Sequence, residues 1–125
     1  MSAHSFTGIV LYVEAFSRNI GLLTEYEQRI LQRARVAIAG LGGVGGVHLI
    51  ALARMGIGQF SLADFDCFEL ANMNRQIGAT MDTLGKEKLA VMTEMARGIN
   101  PSVQIRGFPE GIHEENADAF LEGVD

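Results

Sequence analysis

The chain has 125 residues, enough for one domain or part of one. Its 48% hydrophobic and 20% charged residues describe a folded globular protein and exclude disordered, collagenous and disulfide-stapled classes. A net charge of −5 and a lone cysteine, Cys67, argue against nucleic acid bound by charge alone and exclude an internal disulfide or a Cys-x-x-Cys metal site.

In chain order, the apolar run Ile9–Val13 comes first. It is too short for a signal-peptide core and has no basic segment before it. No stretch approaches the roughly 20 apolar residues of a membrane span, so a cytoplasmic protein without membrane contact is expected. Thr24-Glu25-Tyr26-Glu27 has the form of a capping box and predicts a helix over about 25–34. Val36-Ala37-Ile38-Ala39 lacks alternation and reads as a strand buried on both faces. After Gly40–Gly46, residues 44–55 form a broadly apolar helix that Gly56 and Gly58 end. Phe60–Ala63 is a second strand, closed by Asp64, and residues 66–81 are polar and irregular. Leu89, Met92, Ala96 and Ile99 set a helix over 84–99, stopped by Asn100-Pro101. Residues 103–108 alternate as a third strand, and 114–121 form a last helix. The acidic groups from Glu110 to Asp125, with no Lys or Arg among them, read as a solvated face.

Strands alternating with helices of ten or more residues imply an α/β fold with a parallel, doubly wound, Rossmann-like sheet. The expected division is an N-terminal helical segment over 1–34 and a nucleotide-binding domain over 35–125. In such a sheet the first strand is central, flanked on its far side by a fourth. None follows here, so Val36–Ala39 would be an uncovered apolar edge, which native proteins avoid. The expectation is a domain truncated before its fourth strand, the N-terminal part of a longer protein.

Gly40-Leu41-Gly42-Gly43-Val44-Gly45 is G-x-G-x-x-G between a strand and a helix. Gly40 permits the tight turn, Gly42 and Gly43 let phosphate or ribose approach the backbone, and Gly45 lets helix and strand pack closely. The helix N-terminus offers free N–H groups to an anion. Asp64, 24 residues after Gly40, is placed to accept from ribose hydroxyls. These features alone imply an adenine nucleotide, NAD included. The next stretch adds cations. Arg75 can fork onto phosphate, Lys88 supplies a point charge, and Asn72 can hold a hydroxyl or phosphate oxygen. A triphosphate requires such cations and a hydride-transfer cofactor does not.

Ser17-Arg18, Gly40–Gly45, Asp64 and Asp66, Asn72-Met73-Asn74-Arg75-Gln76, and Lys88 thirteen residues after Arg75 together resemble the ThiF/MoeB-type adenylating enzymes, the superfamily of the ubiquitin-activating enzymes. The likeness runs from about Phe16 to Asp125. It implies an adenylyltransferase that activates the C-terminal carboxylate of a ubiquitin-like or sulfur-carrier protein with ATP and Mg²⁺. It further implies that Gly43 lies against the nucleotide and Asp64 holds the ribose. Asn72, Arg75 and Lys88 would contact the phosphates. Arg18 would reach the phosphates of the neighbouring subunit in a homodimer. The magnesium-binding Asp is expected beyond residue 125. Ala71 stands where the family usually has Ser, which removes a hydroxyl near the phosphates.

Other residues have plainer readings. Cys67 is expected to be buried packing, and His48 a packed or boundary residue. His4, His48 and His113 show no ligand spacing. Lys86 is expected to be a surface charge. Two competitors remain. An NAD-binding oxidoreductase domain explains the glycine loop and Asp64 but leaves Asn72, Arg75 and Lys88 idle. A non-catalytic scaffold of the same fold would bind no nucleotide productively.

Overall fold

The computed structural model describes residues 8–125, with side chains from residue 11; His4 lies outside them. The elements are α1 (Gly8–Ala15), α2 (Glu25–Arg33), β1 (Arg35–Ala39), α3 (Gly43–Met55), β2 (Gln59–Ala63), α4 (Lys88–Ile99), β3 (Gln104–Phe108) and α5 (Ala117–Leu121). Short 3-10 turns cover Ser17–Asn19 and Leu70–Asn72.

The strands form one open parallel sheet in the order β1-β2-β3. Each β-α-β connection is a helix, as expected for parallel neighbours, because their ends lie at opposite edges of the sheet. Register follows from Val36 beside Phe60 and Phe60 beside Ile105. Phe60 and Leu62, fully buried, point to the face covered by α3 and α4, where they join Ile38, Leu49, Leu89 and Met92 in one core. Side chains of this size contribute about 1.5–3 kcal/mol each when removed from water. The opposite face carries Ser61, Arg106 and Phe108 beneath α5, whose Phe120 meets Phe108 edge-on with ring centroids 5.4 Å apart.

Several expectations need correction. Helix α4 starts at Lys88 rather than at residue 84. The Thr83 hydroxyl accepts from the Thr80 N–H at 2.8 Å and donates to the Gly78 carbonyl at 2.7 Å, and Gly85 has φ +80. These turns use up the preceding residues, and a left-handed residue cannot continue an α-helix. Helix α5 is likewise shorter than 114–121, because Asn116 ties back to the His113 N–H and the Gly111 carbonyl. Strand β1 is not buried on both faces. Only Ile38 is buried, and Ala39 is exposed, because β1 is an edge of the sheet. Beside its start, the Asp125 N–H donates to the Arg35 carbonyl and the Arg35 N–H donates to the Asp125 carboxylate. Helix α1 was not among the predicted elements; the run Ile9–Val13 is its apolar part.

The capping box at Thr24 is present in full, with Glu27 N–H donating to Thr24 Oγ1 at 3.1 Å and Thr24 N–H donating to Glu27 at 2.9 Å. It opens α2, which packs with α1 against the end of α3. The Tyr12 hydroxyl, buried between them, donates to the Gly56 carbonyl at 2.6 Å and accepts from Gln28 Nε2 at 3.0 Å. Burial raises the Tyr12 pKa above the ordinary tyrosine value, partly offset by the bond from Gln28. Tyr12→Phe should therefore cost about 1–3 kcal/mol, since it strands a buried carbonyl. Urea unfolding checks this; an unchanged midpoint at unchanged slope would show that water replaces the hydroxyl.

Candidate nucleotide site

The site lies where β1 ends and α3 begins. Gly40 takes φ +91, and its N–H donates to the Ala63 carbonyl at 2.8 Å, so the loop leaves β1 still tied to β2. Gly42 is the N-cap of α3 and has no side chain to cap it. The first N–H groups of a helix lack intrahelical partners, so these face whatever occupies the loop. A Cβ on Gly45 would lie 1.7 Å from the Gly40 carbonyl oxygen. The helix thus sits directly on the loop.

Asp64 shapes this loop. One carboxylate oxygen accepts from the Leu41 N–H at 2.7 Å and the other from the Asp66 N–H at 2.8 Å. It joins the glycine loop to the end of β2. A carboxylate has about four acceptor positions, so two remain for hydroxyl groups in the adjoining cleft. That cleft, about 250 Å³, is formed by the ends of β1 and β2, by Phe65 and Asp66, and by Gly111 and Ile112 after β3. This is smaller than the roughly 300–1,000 Å³ of a complete ligand pocket. It can take one end of a nucleotide while the rest lies out along the loop.

Residues 69–77 fold over the other side of the loop. Asn72 Oδ1 accepts from the Glu69 N–H at 2.8 Å, and the Asn72 carbonyl accepts from the Gln76 N–H at 3.0 Å. The turn this makes brings Arg75 and Gln76 against Gly43 and Gly42, 3.9 and 3.4 Å from where their Cβ atoms would be. The Arg75 guanidinium is exposed and is held by the Ala71 carbonyl at 2.9 Å and Asn74 Oδ1 at 3.1 Å. The Ala71 backbone, not its side chain, makes this contact. Asn72 has its oxygen engaged and keeps its amide N–H groups for a ligand.

Lys88 is the first residue of α4, anchored by its N–H to the Asp66 carbonyl at 3.0 Å. It is only 6% exposed, and its ammonium stands 5.7 Å from the Phe68 ring centre. No carboxylate pairs with it among the described residues. Its ammonium is left with neither a hydrogen bond nor an ion pair among the described residues, and so is available to an incoming anion.

Gly40, Asp64 and Asp66 thus line the cleft, Gly42 and Gly43 meet Gln76 and Arg75 at the start of α3, Gly45 seats α3 on Gly40, Asn72 holds the turn that carries Arg75, and Lys88 is tied through its backbone to Asp66. Arg18 does not join them. It lies exposed in the turn Ser17–Asn19, and the neighbouring Asn19 donates to the carbonyl of Met55, the last residue of α3. Thirteen residues of helix separate that end from the glycine loop, about 20 Å at 1.5 Å per residue.

Two plainer readings are overturned. Cys67 is exposed, because it bridges to Glu87 with alternating side chains and Phe68 takes the inward position. His48 is exposed on α3, on the side away from Leu49 and Ile50. Lys86 is exposed, as expected. Gln76 was quoted only as part of the pattern and given no role. It is 7% exposed, with Oε1 unpartnered beside Gly42. The available signal was its place next to Arg75 in an otherwise charged and polar stretch. No three His, Cys, Asp or Glu side chains gather as a metal site among the described residues. No helix among them is long and apolar enough to cross a membrane.

The sequence pattern of the ThiF family matches residues 16–125. The tRNA threonylcarbamoyladenosine dehydratase of Haemophilus influenzae is 40% identical over 91 residues, covering 73% of this chain and 35% of that protein. Ubiquitin-like modifier-activating enzyme 5 of Aedes aegypti is 44% identical over 108 residues, covering 86% of this chain and 26% of that one. The E. coli tRNA N6-threonylcarbamoyladenosine dehydratase solved in complex with ATP superposes with a TM-score of 0.82 at 33% identity, over 87% of this chain and 45% of that one. The chain spans less than half the length of each of these relatives.

Proposed function

The chain belongs to the ThiF family, and we propose that it is the nucleotide-binding part of an ATP-dependent adenylating enzyme. The observation that carries this is Lys88, a largely buried residue at the start of α4 whose ammonium has no carboxylate partner among the described residues, together with the exposed Arg75 beside Gly43 and the uncapped start of α3. A polyphosphate satisfies all three. A hydride-transfer cofactor leaves the two cations unused. One relative, solved with ATP and again with AMP, supports the same nucleotide.

In this reading the loop N–H groups and Gly43 receive the phosphates, Asp64 accepts from the ribose hydroxyls, and Asn72 donates to a phosphate oxygen. Arg75 and Lys88 neutralise charge that grows as a substrate carboxylate attacks the α-phosphorus. The new bond joins carboxylate oxygen to phosphorus, the bridge to the β-phosphate breaks, and pyrophosphate leaves. The protein contributes position and fixed charge, with no covalent nucleophile of its own. The division at residue 34 and a two-fold homodimer belong to the proposal. So does a substrate carboxylate at the C-terminus of a ubiquitin-like or sulfur-carrier protein. The net charge of −5 argues against tRNA contact by this part of the chain.

The test is ATP–pyrophosphate exchange together with calorimetric binding of ATP and NAD. ATP should bind and NAD should not, and exchange should require the carboxylate substrate. Asp64→Ala removes a ribose acceptor and the brace on Leu41 and Asp66. It should weaken ATP binding by about 1.5–3 kcal/mol. Tight NAD binding that is lost in Asp64→Ala, with ATP unaffected, would establish the oxidoreductase alternative.

A further inference from the structure

Resting on the nucleotide reading above, we propose that Phe65 is the stacking platform for the purine base, making it a residue that sets base affinity separately from phosphate affinity. It directly follows Asp64 and is 74% exposed. The other phenylalanines whose side chains are described do different work: Phe16, Phe60, Phe68 and Phe120 are buried, and Phe108 packs on Phe120. A single exposed apolar side chain is ordinary on a protein surface. This one lines the cleft at the end of the sheet and is held there. Gly111 has φ +78, and a Cβ on it would come 3.0 Å from Phe65 Cδ1. One side of the ring therefore lies against a backbone turn that any side chain would push away.

Across the mouth stands Ile112, 40% exposed. Asp64 and Asp66, the ionisable groups of the lining, are acceptors suited to sugar hydroxyls. What remains for a flat base is the apolar opening between Phe65 and Ile112. Stacking on an aromatic ring uses the π-face that every base has. In the nucleotide reading Asp64 takes the sugar and the glycine loop the phosphates, which leaves the Phe65 side of the cleft for the base.

The chain has no tryptophan, so Phe65→Trp installs a unique reporter. Its emission should change on titration with ATP or AMP and stay unchanged with tripolyphosphate. Phe65→Ala, at a position contributing little to the core, should raise the ATP dissociation constant roughly 5- to 150-fold. Its tripolyphosphate affinity should equal that of the unsubstituted protein. An unchanged ATP affinity in Phe65→Ala, or an equal loss of tripolyphosphate affinity, overturns the stacking role and leaves the nucleotide reading standing. Failure of the unsubstituted protein to bind ATP overturns both.

Discussion

Replacing Gly45 by alanine is expected to leave no stably folded protein. The added methyl would sit 1.7 Å from the Gly40 oxygen and 2.8 Å from the Gly40 carbonyl carbon. Both are backbone atoms of a loop already tied to β2 and braced by Asp64 through Leu41. No side-chain rotation relieves the clash, so α3 must move off β1, and the core residues Leu49 and Ile50 move with it. Damage of this kind falls in the range above about 4 kcal/mol, comparable with the whole stability of a small domain. Urea unfolding and soluble yield measure it. Gly43→Ala is the comparison. Its methyl meets nothing closer than the Arg75 side chain at 3.9 Å, so it should fold normally and lose ATP affinity because it fills the space the phosphates approach. If Gly45→Ala folds as well as Gly43→Ala, the tight seat of α3 on the glycine loop is not what holds this end of the sheet.

The second large effect concerns turnover. In the proposed enzyme, Lys88→Ala removes a cation from the phosphate site and should lower exchange by about a hundredfold or more. Arg18→Ala should also lower turnover, with ATP affinity nearly kept, because a cation acting on the transition state affects rate more than ground-state binding. Within one chain this has no explanation. Arg18 sits by the C-terminal end of α3, and the phosphate loop sits at the other end. Action across a two-fold dimer explains it. Mixing the two inactive variants should then restore activity. Random exchange puts about half the dimers in the mixed state, and each mixed dimer has one site with its own Lys88 and an intact Arg18 from its neighbour. Recovery should approach about a quarter of unsubstituted turnover. Silence after verified subunit exchange removes the in-trans role.

The sequence by itself determined the order of elements from α2 onward, the parallel sheet and the glycine loop. It also pointed to the capping box at Thr24 and to Asp64, Arg75 and Lys88 as candidate nucleotide residues. These are features of spacing. A helix start needs Thr24 and Glu27 three residues apart, and a strand–loop–helix needs an apolar run followed by glycines, so residues close in the chain suffice. What only the tertiary structure decided depends on partners distant in sequence. Asp64 spends half of its acceptor capacity on the backbone of Leu41 and Asp66, which no motif spacing encodes. Phe68 takes the inward position and leaves Cys67 exposed, while the largely buried Lys88 sets its ammonium over the Phe68 ring. Helix α4 loses its predicted first turn to hydroxyl bonds from Thr83 that outcompete helical ones. Arg18 lies a full helix length from the glycine loop of its own chain. Residue type and spacing name the chemistry, while burial and direction follow from which elements pack together, and those contacts form between residues tens of positions apart.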